Sequence, residues 1–209
     1  MKTALVFGAA GGLGRAITAS LQSADVRVLG VARDEGSLAG LACTSADLTV
    51  EHEVAAACLW AAQEGGSVDL LVFAAGRMAH APLAQTSAEA LHRLWADNVL
   101  SAHLVTRHAT PLLDPQGHRV FLGAYVDKLN FPQLGAYAAA KAGLDAWVRV
   151  LIREERALKT TLLRLPAVDT ALWTHAPFPL PRGALAAAAV GDEVVRCWRE
   201  GKAGVVDLT

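Results

Sequence analysis

Cysteine is scarce in this chain. Cys43, Cys58 and Cys197 are the only three among 209 residues, odd in number, scattered, and without a CxxC or Cys/His cluster. That pattern excludes a disulfide framework and reads as buried free thiols in a reducing compartment. The seven histidines do not fall at ligand spacing, so no metal site is expected. A charge excess is also missing, with 19 basic residues against 20 acidic. Nucleic-acid surfaces and polybasic membrane anchors both need a basic excess, so neither partner is expected. No apolar run reaches about 18 residues, the length a membrane span requires. The N-terminal apolar run is broken by glycines and shows no small-residue cleavage pattern, so no signal peptide is expected and the chain reads as cytoplasmic. Repeats, low-complexity tracts and linkers are lacking too.

What is present is a chain that is 53% hydrophobic, which suits one well-buried domain over residues 1–209. Short apolar runs alternate with longer amphipathic segments. Strands are predicted at 3–7, 26–31, 41–44, 68–74, 119–122, 161–165 and 205–208. Helices are predicted at 12–23, 50–63, from Ser87 as cap toward 112, at 135–158 and at 184–199. Alternation of this kind gives βαβ units, and right-handed crossovers then give an α/β fold, a doubly wound parallel sheet of about seven strands with helices on both faces. A Pro-rich stretch, with Pro177, Pro179 and Pro181, lies between strand six and the last helix. It reads either as a connecting loop or as a short substrate lid around 171–184.

Gly8-Ala-Ala10-Gly11-Gly12-Leu13-Gly14 follows the first strand and opens the first helix. Glycines there let the backbone turn tightly and approach a pyrophosphate, while the helix N-terminus offers free N–H groups and partial positive charge. The residue just past the second strand should meet the adenosine ribose. Arg33 stands there, followed by Asp34. An arginine suits the 2′-phosphate of NADP, so NADP(H) is favoured over NAD(H). Asp47-Leu48 follows the third strand, where Asp47 could meet an adenine edge, cap the next helix, or do both. Ala74-Ala75-Gly76 ends the fourth strand, where small residues let a ligand lie close to the sheet.

Tyr137 and Lys141 are four residues apart in Gly135-Ala-Tyr137-Ala-Ala-Ala-Lys141-Ala-Gly143. On a helix that spacing stacks them on one face, and the alanines leave room for a ligand beside them. A phenol next to a fixed ammonium makes a proton donor, because the positive charge favours tyrosinate and is expected to lower the phenol pKa.

Taken in order, these motifs resemble the short-chain dehydrogenase/reductase family over nearly the whole chain. The resemblance rests on Gly8, Gly12 and Gly14, Asp47, Ala-Ala-Gly76, Asn98 in Asp97-Asn98-Val99, Pro132 five residues before Tyr137, and Lys141. Pro166 to Thr170 resembles that family's nicotinamide-side loop, one residue shorter and without its glycine. The resemblance implies a Rossmann fold and an oxidoreductase acting on a small carbonyl or alcohol. In that family Tyr137 would be the acid/base, Lys141 would hold the nicotinamide ribose and depress the tyrosine pKa, and Asn98 would keep a kink and a water in the proton relay. Thr170 would touch the carboxamide. It also implies a homodimer or homotetramer through the helices near 87–112 and 135–158, although their spare apolar residues could equally complete the core.

One departure stands out. The family carries a serine thirteen residues before the tyrosine, and here that position is Ala124. Tyr125 is the nearest candidate to replace it. The loss points to two further readings: a quinonoid dihydropteridine-type reductase, a serine-less branch the chain also resembles, or a dinucleotide-binding regulator with little chemistry.

Overall fold

The computed structural model describes residues 1–38, 40–176 and 178–209, so Pro177 of the Pro-rich stretch lies outside the described residues. Seven strands form one parallel sheet: β1 (Thr3–Phe7), β2 (Arg27–Ala32), β3 (Ala42–Ser45), β4 (Val68–Phe73), β5 (Leu113–Ala124), β6 (Lys159–Leu165) and β9 (Gly204–Asp207), in the order β3-β2-β1-β4-β5-β6-β9. Two further strands of two residues each, β7 (Val168–Asp169) and β8 (Leu185–Ala186), pair parallel in a separate ladder. β1 is buried along its whole length, as a strand covered on both faces must be.

One face of the sheet carries α2 (Glu51–Gly65), α4 (Ser101–Ala109) and α5 (Gly135–Glu154), packed with Leu5, Phe7, Leu71, Phe73 and Phe121. The other carries α1 (Gly12–Ser23) and α6 (Ala187–Arg199), packed with Ala4, Val6, Val72, Val120 and Leu163. Successive strand residues thus feed opposite layers. α1 and α6 pack closely because Gly191 has no side chain: a Cβ there would come 2.7 Å from the Ala16 carbonyl. The strand order reverses between β1 and β4. In such sheets the crevice outside the carboxyl ends of those two strands is where ligands bind.

Three elements differ from expectation. The fifth strand starts at Leu113, six residues early; Pro115 and Gly117 resemble a loop, but a register break opposite Val68 and Leu70 absorbs them. The helix beginning at Ser87, whose hydroxyl accepts from the Ala90 amide at 3.1 Å, is not continuous. It is α3 (Ala88–Trp95), then a π-turn over Ala96–Leu100, then α4 and a short 3-10 turn around Pro111. The helix carrying Tyr137 ends at Glu154, four residues early.

At the other end of the sheet β5 buries two basic residues. Arg119 is 0% exposed and meets Glu155 at 2.5 Å and the Thr160 hydroxyl at 3.0 Å. His118, 1% exposed, shares a 2.7 Å hydrogen bond with the Thr161 hydroxyl. That hydroxyl donates to the Lys202 carbonyl, so the ring Nε2 is the donor to Thr161 and Nδ1 is left as a buried acceptor without a partner among the described residues. Burial, with Lys159 and Arg119 nearby, pushes the His118 pKa down to about 4. The unfolded chain protonates this ring near pH 6.5 and the folded protein does not. Stability held above pH 6.5 is therefore lost as pH falls toward 4, by about 2–3 kcal/mol from this group. In urea titrations at pH 7 and pH 4.5, His118→Leu should show a smaller acid loss than the wild type. An equal loss in both would mean that His118 does not contribute.

Candidate active site

Two clefts meet above the carboxyl ends of β1 and β4. One, of about 380 Å³, is lined by Gly8, Arg33, Asp47, Leu48, Asp97 and Ser101 among others. The second, of about 530 Å³, is lined by Gly12, Leu13, Ala124, Tyr137, Lys141, Pro166 and Thr170 among others. Ala10, Gly11, Ala74, Ala75, Gly76 and Arg77 line both, so the clefts form one trough across the switch point.

The glycine loop is built for close approach. Gly8 has a φ of +84°, and a Cβ there would lie 2.7 Å from the Ala75 amide nitrogen. Gly14 lines neither cleft; a Cβ on it would run into the Gly8 carbonyl, so its role is to let α1 pack down on β1. A Cβ on Gly12 would lie 3.0 Å from the Thr170 side chain, which brings the two ends of the motif set face to face. α1 starts at Gly12 with no side-chain cap, so its first N–H groups stay available to an anion.

The smaller cleft carries charges of both signs. Arg33 is exposed and has no hydrogen-bond partner among the described residues, while Asp34 turns back to accept from the Gly36 amide at 3.0 Å. Asp47 accepts from the hydroxyl and amide of Thr49, at 2.7 and 2.9 Å, and these bonds hold its carboxyl below the usual carboxylate range. The helix cap of α2 is Val50, not Asp47. Asp47 instead fastens the turn ahead of that helix, and its backbone amide is taken by Glu53 at 2.7 Å. Its carboxylate still lines the cleft.

Tyr137 and Lys141 lie on one face of α5 and are each 8% exposed. Burial acts on both. It pushes the phenol up to about 12 and the ammonium down to about 8. The expected lowering of the phenol by the ammonium is therefore reversed in the polypeptide itself, because loss of solvation opposes the charged form of each group. Asn98 sits in the π-turn, fully buried, its amide donating to the carbonyls of Arg77 and Leu94 at 3.0 and 2.9 Å. Its Oδ1 has no hydrogen-bond partner among the described residues. A Cβ on Gly76 would be 2.8 Å from that oxygen and 3.3 Å from the Lys141 ammonium, so Gly76 is the small residue that lets the two groups share one corner. A π-turn at such a point is a common way to re-aim a functional side chain.

Ala124 ends β5 in the wall of the larger cleft and offers no donor. Tyr125 does not take over: its hydroxyl donates to the Leu208 carbonyl at 3.1 Å. Sequence reasoning missed Arg77, which follows Gly76 directly and faces both clefts, with Asp97 3.7 Å away. It also missed Leu129, Phe131, Leu134 and Trp173, which make the outer part of the larger cleft apolar.

The sequence model of the short chain dehydrogenase family matches residues 2–176. A short-chain type dehydrogenase/reductase of Sinorhizobium fredii is 30% identical over 176 residues, covering 82% of this chain and 68% of that one. The crystal structure of a short-chain oxidoreductase from Thermus thermophilus superposes with a TM-score of 0.81 at 33% identity, over 100% of this chain and 99% of the other. An alcohol dehydrogenase from Thermococcus sibiricus, complexed with 5-hydroxy-NADP, superposes with a TM-score of 0.86 at 24% identity, over 100% and 95%. With the seven-stranded parallel sheet and the trough at its switch point, these matches place the chain in the short-chain dehydrogenase/reductase family of oxidoreductases.

Proposed function

We propose that this chain is an NADP(H)-dependent reductase of a small carbonyl compound. The observation that carries the reading is the corner where Tyr137 and Lys141, both buried, face one cleft beside the unpartnered Asn98 oxygen. The residues present fit a dinucleotide. Gly8 and Gly12 leave no side chain where the backbone must come close, and the uncapped start of α1 suits a diphosphate. Arg33 would face the 2′-phosphate, Asp47 the adenine, Lys141 the nicotinamide ribose and Thr170 the carboxamide. The nicotinamide, when bound, supplies or accepts the hydride.

The chain's own task is to orient the reactants and to manage one proton. A phenol pushed up to about 12 keeps its proton at neutral pH, and it is poised to give that proton to the oxygen of a carbonyl being reduced. Lys141, down to about 8, is still largely protonated at pH 7 and lends positive charge to the developing alkoxide. The orphaned Asn98 oxygen is an acceptor suited to a water linking Lys141 to solvent. Residues 171–184 would act as a short lid over the cleft. The exposed Leu91, Trp95, Leu100 and Val150 would form the helical interface of a homodimer or homotetramer. No described helix is long and apolar enough to cross a membrane, which accords with a cytoplasmic enzyme.

A second reading is favoured by Ala124. A quinonoid dihydropteridine carries no ketone that needs the serine, and Phe131 and Trp173 offer flat apolar surface to a planar ring. The third reading, a regulator without chemistry, has to explain why the whole Tyr137, Lys141 and Asn98 corner is kept. Purified protein with NADPH, tested on ketones, quinones and a quinonoid pterin, separates these; tight NADPH binding with no oxidation on any of them would favour the regulator. Arg33→Asp should move the NADPH to NADH preference in kcat/KM by about tenfold toward NADH, since it replaces a phosphate partner with a ribose-hydroxyl acceptor. An unchanged ratio would remove Arg33 from the cofactor site.

A further inference from the structure

The larger cleft combines an apolar outer wall with a one-signed charge. Among its described lining residues there are three cations, Arg77, Lys128 and Lys141, and no Asp or Glu. Lys141 belongs to the proton corner. Arg77 also lines the neighbouring cleft and has Asp97 nearby. Lys128 is the cation left over, in the turn that follows β5 and within the substrate half of the cleft.

The setting of Lys128 differs from that of the other cation near it. Its ammonium lies 5.0 Å from the centre of the Tyr125 ring, and the Arg164 guanidinium lies 5.5 Å from the same centre. Arg164 is neutralised by Asp207 at 2.7 Å, with Asp145 at 3.9 Å. Lys128 has no carboxylate partner among the described residues. Tyr125 cannot swing away easily, because its hydroxyl is tied to the Leu208 carbonyl. The ring is thus a platform beside which an exposed ammonium without an ion-pair partner among the described residues stands at the edge of an apolar cavity.

An uncompensated cation beside apolar walls selects an amphipathic anion. We propose that Lys128 is a specificity-determining residue, and that the cleft takes a carbonyl compound with an apolar body and a carboxylate that Lys128 receives. Phe131, Leu129 and Trp173 would cover the apolar body. The inference rests on the reading of this cleft as the substrate site, and it adds the charge of the substrate.

The test uses a matched pair, 4-acetylbenzoate and its methyl ester, titrated calorimetrically into the protein with saturating NADP⁺, alongside NADPH-dependent turnover of the same pair. The wild type should bind the acid about five- to tenfold more tightly than the ester, a range set by a partly exposed charge-assisted contact. Lys128→Met should bring the ratio to about one, Lys128→Arg should keep it, and added salt should shrink it. The idea is overturned if the acid shows no measurable binding, if acid and ester bind equally, or if Lys128→Met leaves the preference in place. A preference for the acid that Lys128→Met abolishes, without turnover of either compound, would sustain the charge selection and sink the hydride-transfer reading.

Discussion

Tyr137→Phe should lower turnover by a factor of about 10³ while leaving NADPH affinity within about twofold. The substitution removes one oxygen and keeps the ring, so the packing of this largely buried side chain is preserved. What it removes is the group proposed to carry the proton, and general acid catalysis is worth roughly 10²–10⁴ in rate. The upper half of that range applies because Ala124 leaves no second donor in its usual place and the Tyr125 hydroxyl is held elsewhere. Stopped-flow oxidation of NADPH in a single turnover measures the effect without interference from product release. Turnover within threefold of the wild type would show that another group delivers the proton.

Ala124→Ser should do the reverse for one class of substrate. Ala124 is half-buried at the end of β5 with its small side chain in the cleft wall, so a hydroxyl can be added with little displacement. A well-placed donor to a developing oxyanion contributes about 10²–10³ in rate. For simple ketones, kcat/KM should therefore rise by about 10², mostly through kcat. For a quinonoid pterin it should stay within about threefold, since no ketone oxygen there awaits a donor. A uniform rise on both would mean that the serine acts by shaping the cleft. No rise on either would mean that the carbonyl sits out of reach of position 124.

The parts of this molecule that were legible in its sequence are those encoded by local spacing. The glycine loop is recognisable because Gly8, Gly12 and Gly14 sit between an apolar run and a helix, and the structure uses two of them at the trough and the third beneath it. The i,i+4 spacing of Tyr137 and Lys141 was enough to place both on one helical face. The parallel sheet of about seven strands followed from the alternation of runs. Properties set by distant residues were not legible. Tyr125 looks free in the sequence, yet its hydroxyl bonds a carbonyl 83 residues away. The direction of the Tyr137 shift depends on how deeply the phenol is buried, which spacing does not encode. The π-turn over Ala96–Leu100 leaves no periodic signature, because it interrupts an amphipathic pattern that continues on either side; only the family resemblance at Asn98 pointed to a kink there. β7 and β8 are two residues long and exist only because 168–169 and 185–186 meet in space. Lys128 carries no motif at all; its meaning comes from what surrounds it.

That small β7–β8 ladder has a consequence for how the fold can change over time. It fixes both ends of residues 170–184 at strand spacing, with Val168 opposite Leu185 and Asp169 opposite Ala186. Between the anchors, Phe178 stacks on Phe131 with ring centres 5.3 Å apart, and Trp173 packs edge-on against Phe178 at 5.9 Å. The segment is thus an exchangeable cassette: its length and composition can be rewritten while the sheet, the trough at its switch point and the Tyr137 corner stay as they are. Because lengthening a loop between fixed ends costs only about 0.6 kcal/mol per doubling, new substrate preferences are open to insertion and grafting there rather than to repacking of the core.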